Sequence, residues 1–459
     1  MKLLVATNWD TDLIETLSPF PVAELFGALA ETPVGGGRPS SVLAHTTREE
    51  AADYVRAVHD KGWGFNYLLN APCMGNMEYD KETHRDLLKH LEWLCEIGVD
   101  TVTVSIPYLL EIIKRQFPEL KVKVSVIAHV GSVARARFYE QLGADEITLD
   151  YMKNRDFAFL RRVRESVSCD LTLLVNDMCL YQCPYRTYHY NACGHASQAW
   201  YPTGGLFVDY CIVSCTLQKL EEPAQMLSCR WIRPEDLSRY EALGYEKFKI
   251  SGRRMPTPWL TRVTEAYTQQ RFDGNLIDIL MVQIPAKPYI DNRALDGFLD
   301  HFEAQGCKDN CPDCGYCATF AERAVRCDGK EIQWYITALK NIKNDLASSH
   351  VILEDHERRM PQKIAATDEQ SASEQTVAVQ WNPKTREEFE QIISFVPRAF
   401  RALANRFVAQ ASEDIARERG SLVVERADIV KAFLRHTPKG NRKNMLKGLR
   451  SIDIDPDQY

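Results

Sequence analysis

Two groups of cysteines are the residues whose type and spacing most clearly predict chemistry in this sequence. The first group contains two CxxxC pairs, Cys179 with Cys183 and Cys211 with Cys215. Thiolates in close pairs let short loops wrap a metal site, and four of them can ligate the irons of a 4Fe-4S cluster. Structural zinc is the competing interpretation, because thiolate spacing alone does not separate zinc from iron.

The second group is a compact run made of Cys307, Cys311, Cys314 and Cys317. Ferredoxin clusters are held by runs of this kind, with short steps between the cysteines and a glycine, here Gly315, that lets the backbone turn. Zinc is again the alternative metal. The run therefore predicts a second metal site, and iron–sulfur is the preferred interpretation.

The composition of the chain sets the context for these cysteines. Its 459 residues include 14 cysteines, are 45% hydrophobic and 26% charged, and carry a net charge of −7. These values are typical of a folded globular protein, and no apolar run approaches the length of a membrane span or a signal sequence. We therefore predict a cytoplasmic protein without a membrane partner, whose thiols stay reduced and available to metal. The acidic balance argues against a general nucleic-acid binder.

Short apolar runs alternate with amphipathic helical stretches from the start of the chain. Alternation of this kind implies parallel strands with right-handed crossovers, and eight units can close a barrel. The alternative is an open doubly wound sheet, but no GxGxxG turn follows the first run. The eight runs are Leu3–Asn8, Val22–Gly27, Gly64–Asn70, Thr101–Ile106, Val122–Val130, Glu146–Asp150, Leu171–Asn176 and Lys247–Gly252.

The predicted fold class is therefore α/β, an eight-stranded parallel β/α barrel of the TIM type with further modules. We expect the barrel over residues 1–300, with a cysteine-rich insert at 177–232. A cysteine-rich iron–sulfur extension is expected over 301–345 and a linker over 346–380. A small all-helical domain is predicted over 381–459.

Barrel enzymes work at the carboxyl ends of their strands, so polar residues at those ends are candidates for catalysis. We select Arg38, His129, Asn176, His189 and Arg253. Arginines can clamp a carboxylate and imidazoles can act as acid or base near neutral pH. The glycines before Arg38 could also bring backbone N–H groups to an anionic ligand. A surface turn and hydrogen-bonded structural histidines are the alternatives.

At this point the sequence resembles a known family. The string from Lys249 to Arg254 resembles the KIEGR signature of the collagenase-like peptidases, family thirty-two of the unclassified peptidases, although Ser251 stands where that signature has glutamate. Further similarities are Gly37-Arg38, Asn154-Arg155-Asp156 and the cysteine-bearing insert. Together they cover roughly residues 1 to 340.

The resemblance implies a cofactor and a chemistry. The family includes iron–sulfur proteins of the UbiU/UbiV type, with 4Fe-4S clusters held by four barrel-mouth cysteines and hydroxylation without molecular oxygen, prephenate being the oxygen donor. The first cysteine of the family pattern falls on Cys179, and its CxxxC pair resembles Cys211 and Cys215. Cys183 is the fourth ligand that we select, with Cys229 and Cys73 as alternatives. The run from Cys307 lies outside the minimal pattern, so one or two clusters are expected.

The C-terminal stretch has its own resemblance. In its tryptophan, its Phe395-Val-Pro-Arg398 string and its Ala416-Arg-Glu-Arg-Gly420 turn, the segment Trp381 to Lys431 resembles the small helical domain at the end of light-independent protochlorophyllide reductase subunits. That resemblance would imply a docking role or a link to tetrapyrroles. An apolar stripe with helical spacing supports a helical domain there. Seven basic residues follow without an acidic neighbour, and they are Lys431, Arg435, Lys439, Arg442, Lys443, Lys447 and Arg450. They are interpreted either as a solvated helix end or as a dock for an acidic electron donor such as ferredoxin, with RNA possible but not favoured.

The function predicted from the sequence is an oxygen-independent 4Fe-4S oxidoreductase, a hydroxylase acting on a small molecule or RNA. The insert cluster would do the chemistry and the Cys307 cluster would relay electrons. A peptidase, as the family name suggests, is the first alternative, but the sequence contains neither HExxH nor GxSxG. A non-catalytic electron carrier or scaffold is the second.

Overall fold

The computed structural model divides the chain into two compact units. It describes residues 1–201, 207, 209–282, 288–307, 309–348, 379–396, 401–436, 442–452 and 454–458. The first unit comprises Met1–Phe207, Gln218–Val282 and Lys287–Asp328, and the second comprises Val208–Leu217, Gln283–Ala286 and Gly329–Tyr459. The predicted linker at 346–380 lies almost wholly outside the described residues.

The first unit is built on a closed barrel of eight parallel strands, which confirms the predicted fold class. Neighbours in sequence are neighbours in the barrel, and the last strand pairs with the first to close it. Each predicted apolar run overlaps one strand. The strands are β1 (Lys2–Ala6), β2 (Val22–Gly27), β3 (Gly64–Leu69), β4 (Thr101–Val104), β5 (Lys121–Val124), β6 (Glu146–Thr148), β7 (Asp170–Leu174) and β8 (Lys247–Ile250).

The fifth strand is much shorter than the run Val122–Val130 that predicted it. It stops at Val124 because Ser125 accepts a hydrogen bond from the N–H of Ile127, which starts a single 3-10 turn over Val126–Ala128. The turn ends at His129, whose backbone adopts a left-handed conformation with φ 53°. Side-chain capping therefore overrides the apolar pattern and places His129 at the carboxyl end of the barrel.

Helices connect the strands and continue into the insert and the extension. One of them, Arg48–Asp60, begins with a capping box in which Thr47 and Glu50 each bind the other's backbone N–H. The helix Tyr210–Glu221 crosses the boundary between the two units. The other helices of the first unit are Thr11–Leu17, Lys81–Glu96, Pro107–Gln116, Val133–Gln141, Phe157–Ser166, Arg186–His195, Ala224–Ser228, Leu237–Glu241, Thr257–Thr268, Asp300–Gln305, Cys311–Cys314 and Tyr316–Ala324.

A buried arginine fixes the insert and the extension to the barrel. Arg155 is 2% exposed, donates to the carbonyl oxygens of Leu227 and Trp231, and lies over the rings of Trp231 and Phe298 at 4.5 and 4.8 Å. Such cation–π contacts stabilise a charge that burial would otherwise penalise. A two-stranded antiparallel sheet, β9 (Tyr289–Ile290) with β10 (Val325–Arg326), closes the extension.

The second unit is helical, as predicted for the C-terminal region. Its described helices within this unit alone are Lys330–Ser348, Pro383–Ser394, Arg401–Glu418, Arg426–His436 and Arg442–Arg450. Its core includes four members of the apolar stripe that the sequence predicts, Phe389, Ile392, Ile393 and Val396. Lys439, one of the seven basic residues near the end of the chain, lies outside the described residues.

None of the helices in the described part of the chain is long and apolar enough to cross a lipid bilayer.

Candidate functional site

The barrel interior contains a paired layer of charges near the amino ends of the strands. This paired layer consists of four ion-paired residues, Glu24, Lys123, Glu146 and Lys247. The Nζ atom of Lys123 lies 2.7 Å from Glu24 and 2.9 Å from Glu146, and Lys247 lies 2.6 Å from the other oxygen of Glu146. Burial opposes the charged forms, but the carboxylates raise the pKa of Lys123 and the two lysines lower the pKa of Glu146. Each charge meets an opposite charge, which suits a structural role.

At the other end of the strands, the barrel mouth presents arginines with few acidic partners. Arg38 follows β2 and Arg253 follows β8, and the two guanidinium groups are close enough to repel each other. Burial lowers the pKa of Arg253 to about 9, with Arg38 contributing in the same direction. Burial also opposes the charge of Arg38, but Asp177 raises its pKa overall. Among the described residues a carboxylate thus offsets the charge of Arg38 but not that of Arg253, and the pair could bind an anionic ligand.

The glycines before Arg38 are buried, so this segment is not an exposed surface turn. Gly35 has φ 78°, and a Cβ atom there would lie 2.7 Å from the carbonyl oxygen of Gly194, so only glycine fits. The N–H groups of Gly36 and Gly37 donate to Ser197 and Asn70. The expectation that these N–H groups would face an anionic ligand is therefore wrong, since the protein itself occupies them, and Arg38 alone remains available.

The insert contributes a helix, Arg186–His195, that packs against residues at the mouth. Arg186 forms a two-pronged ion pair with Asp150 after β6, at 2.8 and 3.0 Å. Ser197, just after this helix, contacts the backbone of Gly36. Cys193, on the helix, is close enough to Arg38 and Arg253 to raise the pKa of both. Paired arginine and carboxylate groups of this geometry fix orientation strongly. We call this helix the mouth helix.

A histidine and two tyrosines line the mouth beside that ion pair. His129 lies 3.9 Å from Asp150, and burial together with the charge of Arg186 lowers its pKa to about 4. Tyr151 and Tyr190 are 3.3 Å apart through their hydroxyl oxygens, and burial raises the pKa of Tyr190 to about 12. At neutral pH the imidazole is therefore uncharged and Tyr190 keeps its proton.

Asn176 and Asp177 follow β7, and the structure gives them different surroundings. Asn176 is fully buried, and its amide donates to the carbonyl of Ser251 and accepts from the Ser251 N–H and hydroxyl. That exchange joins β7 to β8, so its geometry suits a positioning role. Burial raises the pKa of Asp177, against the opposing effect of Arg38.

His189 also lies on the mouth helix, next to Tyr190. Its ring stacks with those of Tyr190 and Phe207, at 6.4 and 6.3 Å between centroids. The structure thus brings Arg38, Asp177 and Arg253 together, and it places His189 beside aromatic rings.

The first cysteine group begins directly after β7. A hydrogen bond from the thiol of Cys183 lowers the pKa of Cys179 to about 6, helped by Lys219 and Tyr151 and opposed by burial. A thiol with that pKa is mostly thiolate at neutral pH, the form that binds metal. Cys211 and Cys215 lie one turn apart on Tyr210–Glu221, in the part of the chain that groups with the second unit.

The two alternative ligands differ in environment. Cys229 is fully buried, its thiol donates to the Gln225 carbonyl oxygen at 3.2 Å, and it affects the charge of Arg155. Cys73 is half-buried after β3 and accepts a hydrogen bond from the Gly75 N–H. Both remain alternatives for the fourth position.

One cysteine of the second group is hydrogen-bonded to an arginine. Arg230 donates to the sulfur of Cys307 at 3.0 Å, and its guanidinium lies 3.6 Å above the centre of the Tyr181 ring. Burial raises the pKa of Cys311, and the neighbouring thiols Cys307, Cys317 and Cys314 raise it further. The neighbouring thiols therefore oppose the ionisation of Cys311, and a metal cation would relieve that repulsion.

The donor sets fit an iron–sulfur cluster at the level of chemistry. Among the described residues, no three histidine, cysteine, aspartate or glutamate side chains come close enough to hold a single metal ion. A cubane binds its thiolates on separate irons, so its ligands do not converge on one point. The lowered pKa of Cys179 favours the thiolate form that such a cluster needs, and in the second group a bound cation would offset the repulsion that raises the pKa of Cys311. The described part of the chain contains no disulfide.

Sequence reasoning did not single out Lys249, Asp150, Tyr190 or Cys193 as site residues. One signal in the sequence could have pointed to Lys249. Parallel barrel strands buried on both faces are usually continuous apolar runs, and the lysines in Lys247-Phe-Lys249 interrupt that pattern. The partners on the mouth helix had no such signal, because only folding brings them to the barrel.

A model of peptidase family U32 matches residues 44–274, about half of the chain. The uncharacterized protease MJ1657 of Methanocaldococcus jannaschii is 36% identical over 299 residues, which are 64% of this chain and 86% of the relative. A solved structure, that of the U32 peptidase Mk0906, is 22% identical, with a TM-score of 0.41, and the match covers 55% of this chain and 92% of that one.

The end of the chain matches a different family model. Residues 357–459 match DUF2621, a protein family of unknown function. The resemblance of Trp381–Lys431 to the protochlorophyllide reductase domain is therefore wrong. The resemblance rested on one tryptophan, a four-residue string and one turn, and matches as short as these recur in unrelated small helical domains, so they do not identify a family. The match over the barrel and insert gives the identity: this chain belongs to peptidase family U32.

Proposed function

We propose that this chain is an iron–sulfur oxidoreductase that binds a carboxylate-bearing small molecule at the barrel mouth. The observation that carries the proposal is the neighbouring pair Arg38 and Arg253: among the described residues Asp177 offsets the charge of Arg38, and no carboxylate does so for Arg253. Uncompensated positive charge away from bulk water is costly, so it is retained where a ligand supplies the missing negative charge. A carboxylate is the group that an arginine pair binds best.

The other mouth residues would hold and orient that ligand. Tyr190 keeps its proton and could donate a hydrogen bond to a substrate oxygen, while the uncharged imidazole of His129 could accept one. The ion pair between Arg186 and Asp150 fixes the mouth helix over these groups. Asn176 positions Ser251 and thereby the segment that presents Arg253.

The cysteines would hold the redox cofactor, which supplies one-electron transfer when bound. Cys179, Cys183, Cys211 and Cys215 are the proposed ligands of a cluster near the chemistry, with Cys229 or Cys73 as alternative ligands. Cys307, Cys311, Cys314 and Cys317 would hold a second cluster. The first three of that run are exposed, which suits electron entry from a donor such as ferredoxin.

The finer proposal concerns the reaction. We infer oxygen-independent hydroxylation with prephenate as oxygen donor, which rests on the family resemblance and on the preference of the mouth for carboxylates. The names of the family and of its archaeal relative suggest peptide hydrolysis instead. No peptidase motif in the sequence favours that alternative. An electron carrier would have no use for the arginine pair.

The first test measures the cofactor on protein purified without air. About eight irons per chain are expected if both groups hold a 4Fe-4S cluster. The double substitution Cys311→Ser, Cys314→Ser should remove about half of that iron, while Cys169→Ser, at a half-buried thiol outside both groups, should remove none. Zinc in place of iron would contradict the redox proposal.

The second test measures the affinity of the barrel mouth for a small carboxylate. Arg253→Gln should weaken binding of a small carboxylate by about 10- to 100-fold, because a charged hydrogen-bond donor is lost, whereas Arg254→Gln at the next residue should have little effect. Isothermal titration with prephenate gives both affinities. Equal binding by the wild type and Arg253→Gln would refute the proposed role of the arginine pair. Peptide hydrolysis by the anaerobic protein would favour the peptidase alternative.

A further inference from the structure

The barrel interior holds a third lysine that the paired layer does not explain. Lys123 and Lys247 already neutralise Glu24 and Glu146. Lys249 points into the same interior, two residues further along β8, and it has no carboxylate within ion-pair distance among the described residues. Its amine instead lies 3.9 Å from the centre of the Phe26 ring. The charge balance of the interior therefore does not require Lys249.

Lys249 lies between the paired layer and the mouth. Ser251 and Arg253 follow it at the carboxyl end of β8, and Arg253 is near enough to influence its charge. Although its strand is enclosed by the barrel, 8% of the residue surface remains accessible. An amine in this position could meet a ligand whose carboxylate is bound by Arg253.

We propose that Lys249 is a covalent binding site for the carbonyl group of a carboxylate-bearing substrate, with which its amine forms an imine. This inference rests on the proposed binding of carboxylates at the mouth and adds a carbonyl group to the substrate class. The amine nitrogen attacks the carbonyl carbon, the carbonyl oxygen takes up protons and leaves as water, and a C=N bond replaces C=O. The step needs no oxidant or reductant.

Imine formation requires an uncharged amine, and the surroundings of Lys249 favour it. Burial lowers its pKa to about 7, with Lys123 and Arg253 acting in the same direction and Glu24 and Glu146 opposing. About half of the amine is then neutral at pH 7, against fewer than about one in a thousand for an ordinary lysine. Desolvation of this kind is a common way to activate a lysine nucleophile.

The test is reductive trapping on the full chain. Wild-type protein is incubated with pyruvate and cyanoborohydride at pH 7, digested, and analysed by peptide mass spectrometry. The expected adduct adds the mass of pyruvate less one oxygen, and it should form on Lys249 at least ten times faster than on any other lysine. Lys123, which is fully buried, and Lys247, whose side chain is 22% exposed, are the internal controls, since both belong to the same barrel but are paired with carboxylates. Labelling of Lys249 no faster than the surface lysines would overturn the inference.

Variants and ligand analogues separate this inference from the proposed function. Lys249→Met should abolish the adduct, and Arg253→Gln should slow it at least ten-fold. Acetone, which has no carboxylate, should label Lys249 at least ten times more slowly than pyruvate. Lactate has no carbonyl group, so its binding, measured by thermal shift, tests the carboxylate site alone. Lactate binding without a pyruvate adduct would refute the imine and leave the proposed function standing; failure of both would count against the two together.

Discussion

The two ends of the barrel interior carry similar charges in opposite situations. In the paired layer, Lys123 contacts both Glu24 and Glu146. At the mouth, Asp177 offsets the charge of Arg38 but not that of Arg253, and Lys249 has no carboxylate within ion-pair distance among the described residues. Burial penalises charge at both ends, but the pKa of Lys123 is raised while those of Lys249 and Arg253 are lowered.

The difference separates charges that maintain the fold from charges that are available to a ligand. Breaking a buried ion pair is costly because it strands the remaining partner, whereas removing an unpaired buried charge relieves a desolvation penalty. Substitutions at the two ends should therefore change stability in opposite directions.

The largest effect is expected at the paired layer. Lys123→Met would leave Glu24 without its cation and Glu146 with only Lys247, and it should lower the free energy of unfolding by about 3–5 kcal/mol. Urea denaturation measures the change. Lys121→Met, at an exposed lysine two residues earlier on the same strand, is the matched control and should change it by less than about 0.5 kcal/mol. Similar effects of the two substitutions would show that the ion pairs of Lys123 do not stabilise the fold.

A smaller effect of opposite sign is expected at Lys249. In the unfolded chain its pKa returns to about 10.4, so at pH 7 the unfolded state binds more protons and this group opposes folding. Lys249→Met should therefore raise the free energy of unfolding by about 2 kcal/mol at pH 7. The gain should shrink as the pH approaches about 10.4, where the wild-type lysine is uncharged in both states.

Urea denaturation of wild type and Lys249→Met at pH 7 and pH 10 measures that gain. Lys121→Met again serves as control and should show no dependence of this kind. Loss of stability at pH 7, or an equal gain at both pH values, would contradict the view that the buried charge of Lys249 opposes folding.

The smallest effect is expected where the paired layer reaches solvent. Lys247 also contacts Asp170, whose side chain is 63% exposed, at 2.7 Å. Because water and salt screen such a contact, Asp170→Asn should lower the free energy of unfolding by about 0.5 kcal/mol or less, and less still at 1 M salt. Thermal unfolding at low and high salt checks this. A loss as large as that of Lys123→Met would mean that exposure does not weaken the pairing.

The sequence predicted the barrel well because its signal is local and repeated. Each strand corresponds to a short apolar run in the sequence. Eight such runs alternating with helices are compatible with few fold topologies. Strand ends were less accurate, as at Ser125, where one side-chain hydrogen bond ends β5 six residues before the predicted run does. At the C-terminal end the apolar spacing predicted the helices correctly. The family was wrong there, because the short motifs that suggested it are too brief to specify a relative.

For the candidate site, residue types alone located Arg38, His129 and Arg253 at the ends of strands, and the cysteine spacing marked both thiol groups. Which charges lack partners depends on distances between residues far apart in sequence, such as Lys123 and Glu24, and a sequence does not contain those distances. Burial and pairing together set the charge of a lysine or a thiol. The sequence by itself therefore determined the fold class, the family and the candidate donors. Only the tertiary structure decided which interior charges the protein neutralises and which, among the described residues, have no carboxylate within ion-pair distance.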